Sequence, residues 1–124
     1  MCYFPCNVGL IGDMGATSPA GSSVQSLGLE IALTFILMFV IMSVATDVRA
    51  VGQAAAIAIG MTIGLEAIFA GPISGASMNP ARSFGPALIG GVWTSHWVYW
   101  LGPLIGSAGG AAVYRLLRGD QNSM

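Results

Sequence analysis

An all-α membrane protein, built from three membrane-spanning helices and one re-entrant half helix, is the fold class this sequence predicts, and three observations predict it. Of 124 residues, 55% are hydrophobic and only 7% charged, against roughly 25% charged in an ordinary soluble domain. Three apolar segments are each long enough to cross a hydrocarbon core of about 30 Å. A fourth, interrupted by Arg82 and Pro86, is too short to do so.

The first 26 residues cluster Gly, Ser, Pro and Thr in GATSPAGSS and read as an external loop behind an irregular start. They lack the basic region and continuous apolar core of a cleavable signal peptide. Cys2 and Cys6 form a lone C-x-x-x-C far from the sole histidine, His96. A closed zinc site needs four ligands, so unpaired thiols are expected and no metal or other cofactor.

The first span, 27–46, is apolar all round except for Glu30, which excludes an amphipathic surface helix. The second, 51–70, carries Gly60 and Gly64 as G-x-x-x-G, and the third, 97–117, repeats the spacing at Gly102, Gly106 and Gly110. Such stripes let helix backbones approach closely, so both are expected to pack on other helices. Trp93, Trp97, Tyr99 and Trp100 surround His96 and read as an interfacial belt.

Between the second and third spans lies SGASMNPARSFGPAL, residues 74–88. Asn79 is a preferred N-cap and Pro80 suits the first helical position, so a half helix is expected over 80–89, ended by Gly90 and Gly91. A helix starting inside a membrane points unpaired N–H groups and a partial positive charge into it, which opposes cations and protons. With the Asn79 oxygen engaged in capping, its amide donors can face a lumen. Arg82 adds a fixed charge with five donors, and the extended backbone before the cap, with the carbonyls of Gly75 and Ser77, offers acceptors. Donors facing acceptors make a path for neutral hydrogen-bonding molecules.

Arg49 links the first two spans and Arg115 and Arg118 close the third, so these ends share one side. The positive-inside rule makes that side, and the tail 119–124, cytoplasmic. Arg82 alone then lies on the opposite side, which marks it as functional. A net charge of −1 leaves no basic footprint for nucleic acid. No nucleophile with a base, metal cluster or phosphate loop is visible, so an enzyme is not expected.

The 74–88 stretch resembles the second NPA loop (Asn79, Pro80, Ala81) of the major intrinsic proteins, the aquaporin and aquaglyceroporin family. ATDVRAVG at 45–52 is similar to the family's cytoplasmic link, WVYWLGPLIGSAGGAAVY to its sixth helix, and Glu30 to its buried fourth-helix glutamate. FAGPISGASMNPARS with ATDVRA resembles the nodulin-26-like and related bacterial branch. The resemblance implies that residues 27–118 form one inverted repeat of a six-helix channel, that Ala67, Ala76 and Arg82 supply three of four selectivity-filter side chains, and that Glu30 holds backbone of the re-entrant loop. Two alanines imply a wide, weakly polar gate passing water and small neutral solutes such as glycerol, urea or metalloid hydroxides. Glu66, beside Ala67, departs from the branch, which more often has an uncharged residue there; lining an outer vestibule and bonding to the half-helix region are both open to it.

With no second N-P-A in residues 1–73, the chain is expected to be a partial or truncated half of a multi-pass channel in the cell or plasma membrane. Its partners would be lipid, a missing N-terminal half and, by resemblance, three further subunits of a homotetramer. A split half channel and a non-conducting protein that only associates through its small-residue faces are the alternatives.

Overall fold

The computed structural model describes residues 15–46 and 53–119. Cys2, Cys6 and Arg49 lie outside the described residues. Within them every regular element is a helix: α1 (Ser23–Thr46), α2 (Gln53–Ser74), α3 (Pro80–Gly90) and α4 (Val98–Arg118).

Two of these, α1 and the Ala54–Ser74 part of α2, are long and apolar enough to cross a membrane. At 21 residues α4 has a similar length, about 30 Å at ~1.5 Å per residue, but four glycines and two terminal arginines leave it less apolar. α3 spans 11 residues, about half that reach.

The expected starts and stops differ from the observed ones for local reasons. α1 begins within the segment expected to be loop, because the Ser22 hydroxyl accepts from the amide of Gln25 at 3.2 Å and its carbonyl from Ser26 at 3.1 Å, making Ser22 the cap. α2 runs past Ala70 through Pro72, whose ring costs one backbone bond but not the helical direction; just beyond the last helical residue, Gly75 N still donates to Gly71 O at 3.0 Å.

α1 and α4 run parallel and α2 antiparallel to both. Ser23 and Ser95 bond at one end, Thr46 and Tyr114 at the other, while Ala20 N donates to Ile73 O near the end of α2. The α1–α4 seam is made by glycine. A Cβ at Gly102 would meet the Cβ of Glu30 at 2.7 Å, one at Gly106 would strike the Ile31 carbonyl and Thr34, and one at Gly110 would press on the Phe35 carbonyl and Met38. The contacts advance four residues on each helix together, as a parallel pair requires. The same spacing in α2 meets nothing: no atom lies within 4 Å of a Cβ at Gly60 or Gly64, so the close approach expected there does not occur among the described residues.

The molecule is polar inside and apolar outside. Buried polar side chains include Thr17, Ser26, Glu30, Ser74, Ser77 and Ser83, while Ile68 is 78% and Leu116 81% exposed. Lipid, which has no claim on hydrogen-bonding groups, favours that inversion.

Candidate functional site: the loop between α2 and α3

Five residues, 75–79, join α2 to α3, and their backbone is unusual. Gly75 has φ +88°, Ala76 φ +43° and Met78 φ +56°, three left-handed conformations in four residues, two of them at positions with a Cβ. Such conformations persist only where surroundings fix them.

Glu30 is the principal fixture. Fully buried on α1, its carboxylate accepts from the Ser74 hydroxyl at 2.9 Å, from Ser77 N at 2.9 Å and from Met78 N at 2.8 Å. Charge-assisted bonds of this kind are the strong ones. The Ser74 hydroxyl in turn accepts from Ala76 N at 3.1 Å, and Tyr99 donates its hydroxyl to Ser74 O at 2.5 Å. Tyr99 is therefore not part of an interfacial belt: it is wholly buried, whereas Trp93, Trp97 and Trp100 stay about half exposed.

Asn79 then starts α3. Its backbone is extended (φ −153°, ψ 119°), Pro80 takes the first helical position, and the side-chain oxygen accepts from Ala81 N at 2.9 Å. With Oδ1 so used, the Asn79 amide nitrogen keeps its donors on an exposed side chain. At the other end Gly91 adopts the left-handed cap, φ 69°. One turn into α3, the Arg82 guanidinium donates to Gly75 O at 3.3 Å, so that carbonyl is taken up by the arginine rather than facing it across a gap.

A groove of about 440 Å³ runs beside this loop and brings together Ala67, Ala76, Ser77, Asn79, Pro80 and Arg82. Its remaining wall is largely apolar, with Leu37, Met38 and Ile41 from α1 and Leu104 from α4. Gly75 and Ala81 are not among its walls, and Glu30 lies behind the loop. Ser77 turns its amide to Glu30 and its hydroxyl to Asn79 O, 2.8 Å away.

Glu66 makes no hydrogen bond to the half-helix region among the described residues. It is 7% exposed and absent from the groove walls, and among the described residues both its carboxylate oxygens lack a hydrogen-bond partner. The residues missed in the sequence are Thr17, Ser74, Ser83 and Tyr99, all buried against the loop. The signal present was hydroxyl side chains in and near an otherwise apolar chain; their partners are remote in sequence.

The family profile described as "Major intrinsic protein" matches residues 7–114. Over 102 residues the chain is 62% identical to "Probable aquaporin NIP-type" of Nicotiana alata, covering 82% of this chain and 38% of that protein. It is 60% identical over 103 residues to "Aquaporin NIP1-4" of Oryza sativa subsp. japonica, covering 83% and 38%, and 47% identical over 108 residues to "Aquaporin NIP2-3" of Zea mays, covering 87% and 36%. The chain thus spans under two-fifths of the length of these relatives.

Proposed function

The chain belongs to the major intrinsic protein family and is an integral membrane protein, and from that premise we propose that it forms one repeat of a passive channel for water and small neutral solutes. The observation that carries this reading is the join at Asn79: a helix that starts at a capped asparagine, with Arg82 one turn on and both facing one groove with Ala67 and Ala76.

In this reading α3 enters from the outer face and begins near the bilayer midplane, where its unpaired N–H groups and Arg82 raise the barrier to cations and protons. A solute passing the groove accepts hydrogen bonds from Asn79 and Arg82 while its apolar side slides along Leu37, Ile41 and Leu104. Alanine at 67 and 76 leaves the constriction wide, which suits glycerol, urea or metalloid hydroxides beside water. The second half of the pore comes from another such repeat, in the same full-length chain or a separate one, and the complete channel assembles as a homotetramer.

The test is flux in liposomes holding the complete channel. Arg82→Ala is expected to raise cation or proton leak by about tenfold, the equivalent of ~1.4 kcal/mol of barrier; unchanged selectivity would remove Arg82 from the gate. Ala67→His is expected to slow glycerol more than water, and equal slowing of both would show that this position does not set pore width.

A further inference from the structure

The end of α2 and loop 75–79 are fixed on one side by Glu30 and Tyr99, but another contact comes from outside the helices. Residues 15–22, which precede α1, lie against it: Ala20 N donates to Ile73 O at 2.9 Å, and Thr17, 3% exposed, presses on Gly75 so closely that a Cβ there would meet the threonine Cβ at 3.0 Å. Gly75 is the residue whose carbonyl receives Arg82.

From Thr17 a chain of three buried hydroxyls runs to the helix cap. Thr17 donates to Ser83 Oγ at 2.7 Å, Ser83 and Ser77 share a bond of 2.5 Å, and Ser77 donates to Asn79 O at 2.8 Å. Each hydroxyl has one proton. Since the Ser77 proton goes to Asn79 O, Ser83 must be the donor to Ser77, and its own lone pair takes the proton of Thr17. The order is therefore fixed from the cap outward: Thr17 donates to Ser83, Ser83 to Ser77, and Ser77 to the carbonyl of the cap residue. Asn79 O also receives Ser83 N at 3.3 Å, so both ends of the first turn of α3 are tied to the same chain.

We propose that Thr17 is a positioning residue for the gate: its hydroxyl closes the outer end of the hydroxyl chain that holds the Asn79 cap, by donating to Ser83, and its methyl side lies against Gly75, whose carbonyl receives Arg82. Thr17 touches no solute. Its effect on selectivity rests on the channel reading above; its effect on the loop does not.

Two variants separate hydroxyl from bulk. Thr17→Val retains the methyl contact with Gly75 and removes the donor, while Thr17→Ser retains the donor. Hydrogen–deuterium exchange on the complete channel is expected to be about fivefold faster at the amides of Ser77 to Arg82 in Thr17→Val, with α1 and α4 core amides unchanged and Thr17→Ser close to wild type. In liposomes the ratio of glycerol to water permeability should shift in Thr17→Val and return in Thr17→Ser. Unchanged exchange at Ser77 to Arg82, or acceleration spread evenly over all helices, would overturn the proposal, as would a serine variant that behaves like valine. Because exchange is read without conduction, absence of flux in the wild type would strike the channel reading alone.

Discussion

Glu30 carries more of the local architecture than any other single side chain. Its two oxygens are shared among three donors, two of them the consecutive amides of Ser77 and Met78, the second of which has a left-handed backbone. Glu30→Gln keeps size and shape but exchanges one acceptor oxygen for a donor, which leaves at least one of Ser77 N or Met78 N facing another N–H. A bond to a charged acceptor is worth about 1.5–3 kcal/mol, so the variant is expected to lower the unfolding midpoint in detergent and to depress solute flux more than it depresses expression; wild-type flux and midpoint would contradict the clamp. At this scale the sequence was partly legible. Asn79 and Pro80 declare a helix start because capping is settled within three residues of chain. Thr17 and Tyr99 declare nothing, since their partners are 66 and 25 residues away and no local spacing encodes them.

Between elements, one motif has two outcomes. Glycines four apart predict a helix face that can be approached, and α4 is approached there by α1 while the Gly60 and Gly64 positions of α2 are met by nothing among the described residues. Spacing makes the face; only the chain path supplies the neighbour. Within α4 the glycines also differ. A methyl at Gly106 would collide with the backbone carbonyl of Ile31, which cannot move without the helix, whereas one at Gly109 would meet the movable ring of Phe35 at 3.3 Å. Gly106→Ala is therefore expected to destabilise by about 1–3 kcal/mol, and Gly109→Ala by little, because overpacking against backbone has no cheap relaxation. Thermal unfolding of the two variants in detergent checks this; equal midpoints would show that the seam is looser than its glycines imply.

For the molecule as a whole, composition gave the class directly: charge is too scarce to cover a soluble surface, and among the described residues Glu30, Glu66 and six hydroxyl side chains are buried while many isoleucines and leucines face outward. The parallel course of α1 and α4, with α2 reversed, is the one expected if the three long helices cross a membrane in alternation and α3 enters and returns on one side. Element ends were less legible, as at Ser22 and Pro72, where a cap and a tolerated proline shifted them. Arg118 gathers the shared end by donating to Thr46 O at 3.0 Å and to the Tyr114 hydroxyl at 3.1 Å. If the basic ends lie in the cytoplasm, an epitope placed after Met124 should be reached by antibody only in permeabilised cells; labelling of intact cells would invert the proposed topology.

The notch at Gly102 gives Glu30 a second significance. The α1 residue whose carboxylate shapes the loop is also the one whose Cβ lies against the α4 backbone, with no methyl group between them. One side chain thus touches both the α1–α4 seam and, through the amides of Ser77 and Met78, the wall of the groove, so the spacing of the two helices and the shape of the loop are set at a single residue.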